Sequence, residues 1–196
     1  MVLFFGNVGD LSLSSRIRCD EVEGCVDSNV IIAKFHEHFA KLYDTTNLTR
    51  ATDLRNEYSN QRANYKGYPI VSNSLVDTEL VSTIINNLNR GKAADLDGLV
   101  AEHLQNCHPV LSCILAKLFN LILMCSYIPS GFCVSYTVPL PKVKDCRTVA
   151  MTCDDFRGIA ISSILSKVFE YCILNRFRNY FSTNDNQFGL KKCHPC

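Results

Sequence analysis

The sequence has almost no net charge: 20 Lys and Arg stand against 19 Asp and Glu over 196 residues, a formal +1. That is far from the strong basicity of an independent nucleic-acid-binding domain. No secretory signal is legible, because Met1-Val-Leu-Phe-Phe5 is too short for an apolar signal core and lacks a basic start. A membrane span is excluded on similar grounds. The most apolar stretch, Val110 to Ile128, approaches the roughly 20 apolar residues a span needs, but Lys117 and Asn120 fall at its centre. A central lysine costs roughly 2.5–3.5 kcal/mol on insertion scales, so a buried helix is the better reading.

A disulfide or metal framework is missing too, although there are 11 cysteines. Cys107, Cys113, Cys125 and Cys172 fall on apolar helical faces, where a free thiol behaves as a small hydrophobe. Cys193-His-Pro-Cys196 has ligand spacing, but it has no upstream pair to complete the four ligands of a structural zinc site. Unpaired thiols suit a reducing compartment, so the expected location is intracellular, cytoplasmic or nuclear, and not secreted.

What is present is a set of helices and one hairpin, enough apolar residues (47%) for a core, and an uneven charge. Residues 1–87 carry 8 basic and 11 acidic side chains, a balance of −3, while residues 88–196 carry 12 and 8, a balance of +4. Residues 1–27 read as an irregular lead-in, broken by Gly6, Gly9, Asp10 and Gly24. Residues 28–73 read as a helix and a polar linker. The helix is capped by Asp27 or Ser28, with Ile31, Phe35, Phe39 and Leu42 as one apolar stripe; 44–73 is the linker or mobile loop. His36 and His38 are two apart and diverge on a helix, so they are expected in solvent rather than on a metal.

From residue 74 to 196 the pattern is denser. A helix over Asp77–Arg90 presents Leu80, Ile84 and Leu88 and stops at Gly91. Asp97-Gly98 turns the chain, with Asp97 positioned to cap the helix that carries Val100 and Leu104. The helix from Val110 shows a stripe of Leu111, Leu115, Leu118 and Ile122. A strand over Val134–Leu140, a polar connection over Asp145–Asp154 and a returning strand over Asp155–Ile161 follow. Ser162 or Ser163 caps a last helix bearing Leu165, Val168, Phe169 and Cys172. The fold class is therefore α+β, mostly α with a short antiparallel hairpin.

The hairpin holds the candidate site. Its strands bring Lys142, Lys144 and Arg157 towards one fingertip. Arginine offers a planar donor fork and lysine a mobile point charge, which together suit the oxygens of a phosphate chain. The alternative is a basic surface loop in solvent.

Several stretches from about Leu88 onward resemble the fingers region of reverse transcriptases from LINE-type (non-LTR) retrotransposons, transposable elements that encode an RNA-directed DNA polymerase. Gly91-Lys-Ala-Ala-Asp-Leu-Asp-Gly-Leu99 is similar to the family's opening turn, and Ala101-Glu-His-Leu104, Leu118-Phe-Asn-Leu121 and Tyr127-Ile-Pro129 to the helices and exit turn beyond it. Pro139-Leu-Pro-Lys-Val-Lys144 resembles the family's "Pro-Ile-Pro-Lys" strand, and Asp155-Phe-Arg-Gly-Ile-Ala-Ile161 its "Asn-Tyr-Arg-Pro-Ile-Ser". Ser166-Lys-Val-Phe-Glu170 and Gln187-Phe-Gly189 resemble the helix and turn that follow. The likeness covers about half of the chain, with the motifs in the family's order.

The resemblance implies a helical lead-in followed by a partial fingers subdomain of a right-hand polymerase, residues 74–196. It implies that Arg157 meets the phosphates and base of an incoming nucleoside triphosphate, Lys142 or Lys144 its outer phosphates, and Lys92 the backbone of an RNA or DNA template. The complete family enzyme uses Mg²⁺ on palm aspartates that lie beyond the Gln-x-Gly turn. This sequence carries no such set, so the expectation is a fragment with no catalytic residue, no cofactor of its own and no polymerase activity alone. Three departures stand inside the motifs: Asp95 and Leu96 replace a Gly-Pro, Gly158 replaces a proline, and Cys193 and Pro195 replace a glycine and a small hydroxyl residue. The runner-up reading is a non-catalytic helical interaction module that binds nucleic acid weakly. A small metal-binding domain is the third.

Overall fold

The computed structural model describes residues 21–44, 47–64, 75–142 and 151–181. Helix α1, Ser28–Tyr43, starts at Asp27, whose carboxylate accepts from the amides of Asn29 at 2.8 Å and Val30 at 3.2 Å. Phe35 and Phe39 are buried, but Leu42, the expected end of the stripe, is exposed. His38 is half-buried with its ring edge-on to Phe39, so of the two histidines only His36 is exposed.

The span expected as a polar linker is helical over much of its length. Helix α2, Leu48–Asn64, is capped by Asn47, which accepts from the Arg50 amide at 2.9 Å, and buries none of its residues. It has no apolar stripe for periodicity to find. Its helicity rests on good helix formers and on same-face pairs such as Gln61 with Glu57.

Helix α3, Thr78–Asn86, is capped by Asp77, which was expected as its first residue, and ends before Arg90. The stop comes from Gln105, whose side-chain amide donates to the carbonyls of Ile85 at 3.0 Å and Leu88 at 2.9 Å. Gly91 lies beyond it in left-handed backbone, φ +66°. The short helix α4, Ala101–Gln105, has no side-chain cap, so Asp97 does not play that part. Asp95 organises the turn instead.

Helix α5, Val110–Cys125, buries Ser112, Leu115, Ala116, Phe119 and Ile122. Asn120 sits at its centre because its side chain brackets the residue before α3, accepting from the Val76 amide at 3.1 Å and donating to the Val76 carbonyl at 2.7 Å. Strands β1, Ser135–Pro141, and β2, Phe156–Ser162, pair antiparallel with Leu140 opposite Arg157 and Pro139 opposite Gly158. Helix α6, Ile164–Arg176, completes the chain's described elements, apart from short 3₁₀ turns.

Two apolar clusters hold these elements. The larger joins α3 to α6 through Val81, Ile85, Leu104, Leu115, Phe119, Val168, Phe169 and Cys172. The smaller joins α1 to the approach to β2 through Val22, Phe35, Phe39, Met151, Cys153 and Phe156. Cys172 is buried as expected, whereas Cys107, Cys113 and Cys125 are exposed. The architecture is mostly helical with one two-stranded antiparallel sheet, an α+β arrangement. Among the described residues no helix is long and apolar enough to cross a membrane.

Candidate nucleic-acid interface

Side chains alternate across a strand, so the register divides the hairpin into two faces. Tyr136, Val138 and Leu140 of β1 share the front with Arg157, Ile159 and Ile161 of β2. Thr137 and Pro139 share the back with Phe156, Gly158 and Ala160. The back meets α1. The front opens on a cleft of about 950 Å³ between the hairpin, α3, the loop after it and α6.

Arg157 is exposed on the front, directly across from Leu140. Lys142 continues β1 past its last paired residue, with its amide donating to the Asp155 carbonyl at 2.8 Å. That register puts Lys142 diagonal to Arg157 on the same face, a separation of roughly 7–8 Å in a regular ladder. Its ammonium group, however, donates to the Asp154 carbonyl and so helps close the hairpin. Lys144 lies outside the described residues. Lys92 lines the cleft together with Val138, Leu140 and Ile159. Thus Lys92, Lys142 and Arg157 fall on one side of the hairpin, with Lys142 partly committed to the backbone.

Sequence reasoning missed the far wall. Lys167, Tyr171, Leu174 and Arg178 line the cleft at spacings of four, three and four, one face of α6 and its extension, and Phe181 follows. That spacing was readable, but attention to buried positions passed over the exposed face. Tyr171 and Phe181 are about half exposed, 48% and 55%. The acidic group on this lining is Asp95, which is 7% exposed and already engaged. One of its oxygens accepts from the amides of Asp97 at 3.0 Å and Leu99 at 2.8 Å; the other accepts from the Ile164 amide at 2.9 Å, in the first turn of α6. The lining therefore offers three cations, two exposed rings and one internally bonded carboxylate.

Asp95 stands where the resemblance would put part of a Gly-Pro. Where a Gly-Pro would shape the turn by backbone preference alone, a carboxylate ties it by hydrogen bonds, and Gly98 supplies the left-handed residue, φ +75°. Tyr136 is fastened to the same turn, its hydroxyl donating to the Ala94 carbonyl. Burial, with the Asp95 charge adding to it, holds the Tyr136 phenol above its ordinary value of 10.0. Gly158 has a steric reason of its own: a side chain there would run into α1.

The adjacent residues Asp154 and Asp155 do not suit the Mg²⁺ that the resemblance implies for a complete polymerase. Asp155 turns inward on Thr152, accepting from its amide at 2.9 Å and its hydroxyl at 2.8 Å, and these bonds hold its carboxyl below the usual range. Asp154 points to solvent, with the His38 imidazole 4.0 Å from one of its oxygens. Among the described residues no group of three or more His, Cys, Asp or Glu is placed to hold a metal ion.

No protein-family model matches the chain, and no curated protein matches it either.

Proposed function

We propose that this chain is a polyanion-binding fingers unit of reverse-transcriptase type, related to LINE-type (non-LTR) retrotransposon enzymes, that receives single-stranded RNA or DNA and nucleoside triphosphate weakly. The proposal concerns binding rather than synthesis. The observation that carries it is the cleft in front of the hairpin. Lys92, Lys167 and Arg178 line it, two exposed aromatic rings stand among them, and Asp95, the carboxylate among its described lining residues, is already engaged by backbone amides. Cations that follow a phosphate backbone and rings that stack on bases are the usual means of holding single strands without sequence preference. Arg157 on the same face adds a planar donor fork. The ordered motifs from Gly91 to Glu170 support the family reading independently of the cleft.

The test is titration of a fluorescent oligonucleotide into parent, Lys92→Ala, Lys142→Ala, Arg157→Ala and Lys167→Ala at two salt concentrations. Affinities near 10⁻⁴–10⁻⁶ M are expected at physiological salt. Each substitution should weaken binding and flatten the salt slope by about one unit. Arg157→Ala should cost more than Lys142→Ala, since the Lys142 ammonium already serves a carbonyl. Identical curves for all variants would remove the proposal.

A second reading, a helical interaction module, is favoured by α5, where Ile114, Leu121 and Met124 remain exposed. It requires a protein partner whose binding is insensitive to salt and to the loss of Arg157.

A further inference from the structure

We propose that Gly158 is a positioning residue: the side chain it lacks makes room for α1 to dock on the back of the hairpin, and that docking fixes Arg157 on the front. This rests on the reading of the hairpin as a polyanion-binding element.

Gly158 has no conformational need to be glycine. Its backbone lies outside the left-handed region, unlike that of Gly24, Gly91 and Gly98. In a strand of ordinary backbone, glycine weakens the ladder and often marks a close approach. Here the approach is explicit. A Cβ at position 158 would lie 2.9 Å from Phe39 Cε1, 2.9 Å from Thr137 Cγ2 and 2.9 Å from Tyr43 Oη. Tyr43 is part-exposed and its hydroxyl end has room to swing away, but Phe39 and Thr137 are 1% and 2% exposed and have nowhere to go. The notch at Gly158 is therefore filled by α1 itself.

The docking matters because the hairpin has little else behind it. A two-stranded sheet is marginal alone in water. Its front is fastened at Tyr136 and otherwise faces the cleft, where Ile159 is 43% exposed. Its back is supported by an aromatic ladder: Phe156 meets Phe35 edge-on at 4.8 Å, Phe35 stacks with Phe39 at 6.1 Å, and Phe39 with Tyr43 at 6.0 Å. Phe35 and Phe39 pack in the small cluster around Phe156, not in the helical one. Phe156 and Gly158 point to this back layer, and Arg157 between them points forward. Seating α1 thus holds both neighbours of the arginine. Linkage requires the reverse as well: a ligand that binds Arg157 in its held position must tighten α1.

The experiment compares parent, Gly158→Ala, Gly158→Ala with Phe39→Leu, and Phe39→Ala. Two quantities are read: amide hydrogen exchange by peptide, and affinity for a homopolymeric thymidine oligonucleotide at low salt. Gly158→Ala should speed exchange in peptides of α1 and β2 while leaving those of α5 unchanged. It should weaken oligonucleotide binding by about fivefold or more, the lower end of common coupling strengths. Adding Phe39→Leu, which removes the ring edge facing position 158, should restore part of both losses. In the parent, oligonucleotide should slow exchange in α1, which a residue acting only on stability would not produce. If Gly158→Ala fails to fold, Phe39→Ala reads the same coupling without crowding and should show the same paired losses. A parent that binds no oligonucleotide overturns the proposed function beneath this inference. A parent that binds, with Gly158→Ala or Phe39→Ala loosening α1 yet binding equally well, overturns this inference alone.

Discussion

At the scale of single residues, the Asp95 carboxylate ties the turn after α3 to the start of α6 through three backbone amides. Asp97 sits at the position expected of a helix cap, beside the turn glycine Gly98, yet Asp95 holds the turn and also reaches the first turn of α6. The partner amide of Ile164 is 69 residues away in sequence, and no local rule looks that far. Motif and charge singled out Arg157 and Lys92, whereas the commitment of Lys142 to the Asp154 carbonyl depends on hairpin geometry. Asp95→Ala leaves the amides of Asp97, Leu99 and Ile164 without this acceptor in a largely buried place. Losing an acceptor for buried donors costs about 1–3 kcal/mol, more where the acceptor was charged, so a destabilisation of about 3 kcal/mol is expected. Urea denaturation checks it through a lowered midpoint with an unchanged slope. A midpoint equal to the parent's would mean the turn does not depend on this residue.

At the scale of elements, success followed the clarity of the apolar stripe. Helix α1, with its cap at Asp27 or Ser28, and the two strands were read to within one residue at their ends. Helix α2 was missed because nothing on it is buried, leaving no stripe to detect. Helix α5 was found, with Leu115 and Ile122 of its expected stripe buried. Leu118 was expected in the core and is 36% exposed, whereas Phe119 was not in the stripe and is 0% exposed. A helix apolar on most sides carries little information about which side faces in. Its outer face keeps Ile114, Leu121 and Met124 in solvent, an apolar surface that favours self-association. Ile114→Glu combined with Leu121→Lys should therefore reduce aggregation. It should leave stability within about 0.5 kcal/mol per site, as surface changes usually do. Light scattering during a thermal ramp and the midpoint of a denaturant titration measure the two effects. A large loss of stability would show that this face is packed against something in solution.

At the scale of the whole molecule, the two apolar clusters differ in size and in how the chain closes them. The helical cluster gathers residues from Val76 to Cys172, while the smaller one must bring Val22 and α1 to Met151, Cys153 and Phe156 across more than a hundred residues of sequence. That distant closure escaped sequence reading, which treated the lead-in, the first helix and the rest as successive segments. It also makes the small cluster the weaker one, since few apolar contacts offset a long loop. Two thiols report on the clusters separately. Burial pushes Cys153, in the small cluster, up to about 11, and Cys172, in the helical one, also up to about 11. Cys107, Cys113, Cys125 and Cys133 are exposed. Iodoacetamide near pH 8 should label those four quickly in the native protein and leave Cys153 and Cys172 almost untouched, since the thiolate is the reacting form. With rising urea, Cys153 should become reactive before Cys172, as α1 and the approach to β2 open while α3 to α6 still hold. Peptide-resolved mass spectrometry follows each thiol through the titration. Coincident protection curves for Cys153 and Cys172 would mean that the hairpin couples both clusters into a single cooperative unit. In that case α1 could not leave Gly158 without the helical core unfolding as well.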